Sequence, residues 1–346
     1  MSSISLKNVT KAYGSDVVIS NLNLEIRDGS FTVLVGASGC GKTTTLRMIT
    51  GLETVTAGDI YIDNDRVNDI APGKRDISMV FQNYALYPTM SVEENIEFGL
   101  INKKVAKEER KRRIKEVSEI VGLTEYLQRK PANLSGGQRQ RVALARAMVK
   151  EPRVFMMDEP LSNLDAKLRA QMRVELINMH KRMGTTFVYV THDQVEAMSM
   201  ADDIVLMNKG KIVQQSNPRE LYHNPNSIFT AQFIGTPQTN IISGFLPDQM
   251  KLGIRPEKIR LTSSGEQDAV HFSGQIQTKE LLGSEIIYSI LTKYGILMCK
   301  SEMDIEDGSS LMLSVPYENM YLFDKDGKRI PFTEAEKNAV RTSIGD

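Results

Sequence analysis

The chain has 346 residues, no formal net charge and 41% apolar residues, a globular composition with room for two domains. Its balanced charge gives no global field that would attract nucleic acid, and no stretch approaches the roughly 18 apolar residues of a membrane span. The two cysteines, Cys40 and Cys299, lie far apart, which does not suggest a disulfide framework. Because the first residues also lack a basic, apolar signal region, we expect a chain that works in a reducing cytoplasm.

The first third of the chain predicts short strands and one phosphate-binding loop. Apolar or alternating stretches predict strands at 4–9, 17–19, 22–26, 31–35, 58–63 and 77–81. The strand at 31–35 leads into Gly36-Ala37-Ser38-Gly39-Cys40-Gly41-Lys42-Thr43, which fits the P-loop pattern G-x-x-x-x-G-K-[ST]. A helix is expected to follow at 44–50 and to end at Gly51.

This order of strand, glycine-rich turn and helix predicts a phosphate site. The turn directs several backbone N–H groups to one point, and the helix dipole adds positive potential there. Lys42 is expected to reach the β- and γ-phosphates, and Thr43 to ligate Mg²⁺. A thiol near a helix N-terminus is often reactive, so we expect a maleimide to label Cys40 and ATP to block the reaction.

The stretch from about 88 to 150 is helical in character. Residues 103–119 are densely charged, with possible i, i+4 pairs Glu108–Arg112 and Glu109–Arg113, and we interpret them as a solvated helix face. Further on, Ser135 precedes paired glycines and a helical run at 139–149. This pattern fits either a second anion site or an ordinary serine-capped helix, and the sequence position alone leaves both open.

The buried strand 154–157 ends in two acids, Asp158 and Glu159. Ligands of open α/β sheets bind at the carboxyl ends of the strands, so Asp158 is expected to hold Mg²⁺ and Glu159 to activate or position water. Another strand is expected at 186–190, and a hairpin at 204–213. Strands that alternate with helices predict a mostly parallel sheet covered on both faces.

The last third of the chain predicts an all-β domain. Short strands at 275–279, 285–291, 296–299 and 311–315, separated by glycine-containing turns, indicate a small barrel. A weak helix is expected at 333–341, in a polar tail.

Ordered motifs make the chain resemble the ATP-binding-cassette (ABC) ATPases. The sequence Leu134-Ser135-Gly136-Gly137-Gln138, ahead of the strand that ends in Asp158-Glu159, is similar to the family signature LSGGQ. The resemblance implies that Gln82 is the Q-loop glutamine, residues 161–165 are the D-loop, His192 is the switch histidine and Tyr13 stacks on adenine. It implies catalytic roles for Glu159, His192 and Gln82, and Mg²⁺ ligation by Thr43, Gln82 and Asp158. The implied ATP contacts are Tyr13, Gly36, Ala37, Ser38, Gly39, Cys40, Gly41, Lys42, Thr43, Thr44, Ser135, Gly136, Gly137, Gln138 and Asp165.

Longer segments resemble the ATPase subunits of maltose-type and multiple-sugar importers. These are VFQNYALYP at 80–88, DEPLSNLDAKLR at 158–169, YVTHDQVEAM at 189–198, FIGTPQTN at 233–240 and GIRPE at 253–257. The resemblance implies an α/β P-loop NTPase domain at 1–236, with a helical subdomain at about 88–150, and a small all-β OB-type regulatory domain at 237–346.

The same resemblance implies how the subunit works. Two copies, expected to be identical, would sandwich two ATP molecules head to tail at the cytoplasmic face of the membrane. Two permease subunits would dock on the apolar loop 84–90, and an extracytoplasmic solute-binding protein would deliver the solute, which we expect to be a carbohydrate.

Three alternatives remain at this point. A soluble ABC ATPase of ribosomes or DNA would typically carry two cassettes or a long coiled-coil insertion, and this chain has neither. A P-loop metabolic kinase would not need LSGGQ or His192. The nearest alternative is the same machine importing glycerol phosphate esters, polyamines or ferric ion.

Overall fold

The computed structural model describes residues 2–244, 246–262 and 268–344, and the chain forms two compact units, Met1–Pro218 and Arg219–Asp346. The strands of the first unit are β1 (Ile4–Tyr13), β2 (Asp16–Ile26), β3 (Phe31–Gly36), β4 (Ala57–Ile62), β5 (Asp65–Arg66), β6 (Ile77–Val80), β7 (Val154–Asp158), β8 (Thr186–Thr191), β9 (Asp203–Asn208) and β10 (Lys211–Ser216). Its helices are α1 (Lys42–Thr50), α2 (Val92–Asn102), α3 (Lys107–Ile120), α4 (Gly136–Met148), α5 (Ala166–Met183) and α6 (Gln194–Met200).

A six-stranded sheet carries the predicted loops. Its strand order is β10-β9-β3-β8-β7-β6, and all neighbours are parallel except the hairpin of β9 and β10. Every residue of β3, β7 and β8 is buried, as the apolar runs predict for strands covered on both faces. The carboxyl ends of these parallel strands lie at one edge, which brings the P-loop, the two acids at the end of β7 and the loop after β8 to the same side.

A second, antiparallel sheet has the order β2-β1-β4-β5. The sequence predicts two short strands at 17–19 and 22–26, and this is wrong, because β2 is a single strand. Register shifts along its pairing with β1 keep the two strands hydrogen-bonded through the polar residues between those apolar stretches.

The predicted helical stretch contains α2, α3 and α4. On α3, the expected pair of Glu109 and Arg113 forms at 2.7 Å. The expected pair of Glu108 with Arg112 does not form, because Arg112 lies 2.7 Å from both Glu109 and Glu116. The pair of Arg112 with Glu116 is exposed and that of Glu109 with Arg113 is half-buried, so the helix keeps a solvated face to which such pairs contribute little stability.

The second unit contains α7 (Pro218–His223) and α8 (Ile228–Phe233), followed by β11 (Asn240–Ile242), β12 (Lys251–Ile254), β13 (Arg260–Thr262), β14 (Ala269–Leu282), β15 (Glu285–Thr292), β16 (Gly295–Ser301), β17 (Ser310–Pro316), β18 (Met320–Phe323), β19 (Arg329–Ile330) and α9 (Glu334–Ile344). The strands form two antiparallel sheets, β11-β12-β18-β19 and β13-β17-β14-β15-β16, which share one apolar core. The predicted all-β character, its four named strands and the terminal helix are therefore confirmed.

None of the described helices combines the length and apolar character that crossing a bilayer demands.

Candidate nucleotide site

The P-loop joins β3 to α1 with glycines where side chains would not fit. A Cβ on Gly36 would lie 2.3 Å from the carbonyl oxygen of Met207, and one on Gly41 would lie 3.2 Å from Ile19. Gly41 also has a φ of 105°, and it precedes α1 without a side-chain cap, while the first turn of α1 holds no acidic residue. The N–H groups of this helix start are therefore left for another acceptor.

Lys42 lies inside this loop and is only 5% exposed. Its Nζ donates to the carbonyl oxygens of Gly36, at 2.8 Å, and Ala37, at 3.0 Å. Among the described residues, no carboxylate lies within ion-pair distance of this ammonium group. A buried cation without an anionic partner beside an uncapped helix N-terminus fits a site for phosphate.

Thr43 and Asp158 place two side-chain oxygen atoms close together next to the loop. The Thr43 hydroxyl donates to Asp158 Oδ1 at 3.0 Å. Burial raises the pKa of Asp158, while the Thr43 hydrogen bond and Arg47 oppose the shift. No group of three or more His, Cys, Asp or Glu residues suited to a metal occurs in the described part of the chain. An ion at this pair would need further oxygen ligands, which fits Mg²⁺ bound together with a phosphate-bearing ligand.

Glu159 and His192 meet at the end of the sheet. Glu159 Oε2 lies 3.2 Å from His192 Nδ1, and the Glu159 N–H donates to the carbonyl oxygen of Val190 at 3.0 Å. The φ of Glu159 is 44°, a left-handed conformation that is uncommon for a non-glycine residue. The backbone thus turns sharply after Asp158, and the two carboxylates have different partners, Thr43 for Asp158 and His192 for Glu159.

Gln82 contacts the segment 161–165. Its Nε2 donates to the Ser162 hydroxyl at 3.3 Å, and its carbonyl oxygen accepts from Asn163 Nδ2 at 3.0 Å. The Ser162 hydroxyl donates to the carbonyl oxygen of Glu159 at 2.8 Å. The structure therefore links Gln82 to Glu159 through Ser162, while its predicted contact with a metal stays a prediction.

The segment 134–138 forms a capping box. The Ser135 hydroxyl accepts from the Gln138 N–H at 3.3 Å, and Gln138 Oε1 accepts from the Ser135 N–H at 2.9 Å. A Cβ on Gly137 would lie 2.8 Å from Leu168, so this glycine permits close packing against α5. Within this subunit the segment is a capped helix start, and no hydrogen bond joins it to the P-loop in the described residues.

Three further predicted residues lie at the surface or in the core. The Tyr13 ring is 48% exposed, and its hydroxyl donates to Glu53 Oε2 at 2.9 Å, which raises the pKa of Tyr13. Asp165 caps α5 by accepting from the Leu168 N–H at 2.9 Å. Cys40 is only 4% exposed and packs in the apolar core, so the expectation of a reactive, accessible thiol is wrong for the folded subunit.

Sequence reasoning missed Arg146, which holds the apolar loop 84–90. Its guanidinium donates to the carbonyl oxygens of Tyr84, at 2.8 Å, and Ala85, at 2.6 Å. Both residues have positive φ values, 63° and 45°. An arginine among the alanines and aliphatic residues of α4 was the available signal, because such a position needs a polar partner.

Comparisons with known proteins identify both parts of the chain. Residues 19–162 match the family model of the ABC transporter, and residues 252–323 match that of the TOBE domain. The sn-glycerol-3-phosphate import ATP-binding protein UgpC of Brucella abortus (strain 2308) is 47% identical, over 95% of this chain and 99% of its own length. The maltose/maltodextrin import ATP-binding protein MalK of Salmonella typhi is 45% identical, over 94% of this chain and 97% of its own length.

A solved structure agrees with the fold of the first unit. It is the dimeric, post-hydrolysis state of the ATP-binding cassette MJ0796 with ADP and Pi bound, which covers 62% of this chain and 99% of that one, at 36% identity and a TM-score of 0.57. Since curated relatives are similar over nearly their whole length, the resemblance seen in the motifs is confirmed. The chain belongs to the import ATP-binding proteins of ABC transporters, and it is an ATPase subunit with an ABC ATPase domain followed by a TOBE domain of the all-β OB type.

Proposed function

We propose that the site after β3, β7 and β8 hydrolyses ATP with Mg²⁺. The observation that carries this proposal is the buried Lys42 ammonium, which lies at an uncapped helix start and has no carboxylate partner in the part of the chain that the structure describes. In this proposal Lys42 and the backbone of residues 36–44 bind the phosphates, and the exposed Tyr13 ring stacks on adenine. Thr43, Asp158 and Gln82 would hold Mg²⁺, which supplies charge neutralisation of the phosphates when bound.

The residues near the γ-phosphate position then have separate tasks. Glu159 accepts the proton of the attacking water or orients that water, because its carboxylate stands free of the Asp158–Thr43 pair. His192 contacts Glu159 directly, and it is 59% exposed, so it is free to contact a phosphate as well. Gln82 is hydrogen-bonded to Ser162, and in this proposal its contact with Mg²⁺ makes it sensitive to the presence of the γ-phosphate.

We further propose that two copies close head to tail around two ATP molecules. In one copy Ser135, Gly136, Gly137 and Gln138 form a capped helix start without a lysine of its own, which suits a site completed by a neighbour's nucleotide. Asp165 is exposed at the start of α5 and would also face the partner copy. A γ-phosphate shared by two subunits makes closure depend on its presence, which is a ligand-driven two-state switch.

Mixing two inactive variants tests this arrangement. Lys42→Ala should lose ATP binding in its own P-loop, and Ser135→Arg should block only the surface offered to the partner. A mixed dimer contains one intact composite site, so mixing should restore ATPase activity under conditions of subunit exchange. A mixture as inactive as both parents would contradict the head-to-tail dimer.

We propose that the subunit works at the cytoplasmic face of the membrane with two permease subunits. An extracytoplasmic solute-binding protein would deliver the solute to these permease subunits. The loop 84–90 is the proposed docking surface: Ala85, Tyr87, Pro88 and Thr89 are exposed, while Tyr84 is buried and anchors the loop. Arg146 and Asn95 hold the backbone of this loop, since Asn95 bonds to the main chain of Tyr87, Met90 and Ser91.

The proposed solute is a carbohydrate, and a glycerol phosphate ester is the second candidate. The two relatives named above are import proteins for maltose/maltodextrin and for sn-glycerol-3-phosphate, at nearly equal identity. Deletion of the gene, followed by growth on sugars, glycerol phosphodiesters, polyamines and iron-limited medium, separates these solutes. Lost growth on one or more oligosaccharides is expected, and a defect confined to another class would replace the solute without affecting the ATPase proposal.

A further inference from the structure

One arginine of α5 links the two loops that flank the proposed catalytic pair. Arg169 Nη2 donates to the carbonyl oxygen of Leu164 at 3.1 Å, and its Nη1 donates to Asp193 Oδ2 at 3.3 Å. Leu164 belongs to the segment 161–165, and Asp193 directly follows His192. A planar guanidinium with donors in a fixed fork therefore sets the distance between these two segments.

The Asp193 carboxylate is itself held from two other sides. Its Oδ1 caps α6 by accepting from the N–H groups of Val195, at 2.7 Å, and Glu196, at 3.2 Å. The Asp193 N–H donates to the Thr191 hydroxyl at 3.0 Å. Both neighbours of His192 are thus fixed, whereas the described contact of the His192 side chain is with Glu159. The position of the imidazole depends on the contacts of residues 191 and 193.

A buried carboxyl group completes the surroundings of Arg169. Glu196 is 3% exposed, and its Oε2 accepts from the hydroxyls of Tyr189, at 2.8 Å, and Thr191, at 2.7 Å. Burial raises the pKa of Glu196, and the two hydroxyl hydrogen bonds oppose that shift. Arg169 Nε lies 4.0 Å from Glu196 Oε1 and is buried without a hydrogen-bond partner. A movement of about 1 Å would bring this donor and this acceptor within hydrogen-bond distance.

The segment 161–165 has its own contacts with the site. Ser162 joins Gln82 to the carbonyl oxygen of Glu159, and Asp165 caps the helix that carries Arg169. A displacement of this segment would therefore move the guanidinium of Arg169 and, through its hydrogen bond, the carboxylate of Asp193. Because one planar guanidinium contacts both the carbonyl oxygen of Leu164 and the carboxylate of Asp193, a single group joins the two loops.

We propose that Arg169 is a positioning residue of the ATPase reaction. It holds the loop 191–193 against the segment 161–165, so that His192 stays in contact with Glu159, and it makes this contact depend on where that segment lies. This inference rests on the proposed roles of Glu159 and His192. The described contacts of Arg169 are with Leu164, Asp193 and Glu196 and include none of the P-loop residues that would bind ATP, so it acts on turnover and not on nucleotide affinity.

Asp193→Asn is the cleanest test, because an amide keeps Oδ1 as the acceptor that caps α6 and replaces the anionic oxygen that faces Arg169. We expect kcat to fall about tenfold, the equivalent of about 1.4 kcal/mol, with KM for ATP and the melting temperature near those of the wild type. Arg169→Met should give the same pattern. Arg169→Lys should recover part of kcat, because one ammonium can contact one of the two loops. Arg173→Met, one turn along the same helix, is the matched control and should leave kcat unchanged.

The double variant Arg169→Met/Asp193→Asn shows whether the two residues act together. If the proposal holds, it is no slower than either single variant; if the two losses multiply, the residues act independently and the proposal is wrong. Wild-type kcat in Asp193→Asn also overturns it, and so does a rise in KM for ATP with unchanged kcat. His192→Ala separates this failure from that of the proposed function, because an active His192→Ala protein refutes the assigned role of the histidine itself.

Discussion

Lys42→Met separates the stability of the P-loop from its function. The side chain is 5% exposed and has no carboxylate partner among the described residues. Its ammonium donates to the carbonyl oxygens of Gly36 and Ala37 and lies 3.8 Å from Cys40 Sγ. Methionine keeps a flexible apolar stem of similar length. The variant loses two hydrogen bonds to carbonyl oxygens and the weaker contact with Cys40 Sγ, but it no longer has to bury a charge. The free energy of unfolding without nucleotide should therefore change by no more than about 1 kcal/mol.

The effect on ATP binding should be much larger. A charge-assisted hydrogen bond to phosphate contributes about 1.5–3 kcal/mol, and every 1.4 kcal/mol is tenfold, so the dissociation constant should rise roughly ten- to hundredfold. The measurements are equilibrium binding of a fluorescent ATP analogue and thermal denaturation without nucleotide. Lys150→Met is the control, because Lys150 is half-buried and has no ion pair among the described residues, but it lies in the turn after α4 and not in the P-loop. Wild-type affinity in Lys42→Met, or an equal loss in Lys150→Met, would refute this account of the loop.

Two further predictions concern the metal pair and the docking loop. Burial raises the pKa of Asp158, so its ionisation lowers the stability of the folded protein once the pH exceeds the pKa of this group in the unfolded chain. Asp158→Asn should therefore raise the melting temperature of the nucleotide-free protein at pH 7, and this gain should vanish near pH 3. A gain that grows toward low pH would contradict the direction of the pKa shift. Leu86→Glu puts a charge into the half-buried part of the loop 84–90. Co-purification with the permease should be lost, while ATP binding by the isolated subunit should stay unchanged. An intact complex would exclude this loop from the interface.

The sequence predicts the sheet and the site because its signals there are local. The run before Gly36 and the run before Asp158 are apolar throughout, as strands covered on both faces require, and each is followed at once by the residues that do chemistry. In a parallel sheet the carboxyl ends of the strands lie at the same edge, so these residues are expected to meet there without any long-range signal in the sequence. The same reasoning failed for β2, because polar residues interrupt its apolar pattern while hydrogen bonds to β1 continue through them.

What the sequence leaves out depends on contacts between distant residues. The P-loop pattern around Cys40 does not indicate that the side chain packs into the apolar core, whereas the backbone of the same residue would surround the phosphates. Arg146 and Arg169 each bond to backbone carbonyls of loops elsewhere in the chain, and such contacts leave no periodic trace in the sequence. The positive φ of Glu159 likewise accompanies a hydrogen bond between its N–H and Val190, a residue that is distant in the sequence and lies on the neighbouring strand.

Glu159→Gln is the most direct test of ATP hydrolysis at this site. The amide keeps the shape of the side chain but cannot accept a proton, so ATP binding should be retained while steady-state turnover falls at least a hundredfold, as expected for loss of a general base. Because hydrolysis is what opens the proposed sandwich, size-exclusion chromatography in ATP and Mg²⁺ should show the variant as a dimer. Wild-type turnover by the purified variant would contradict the central claim.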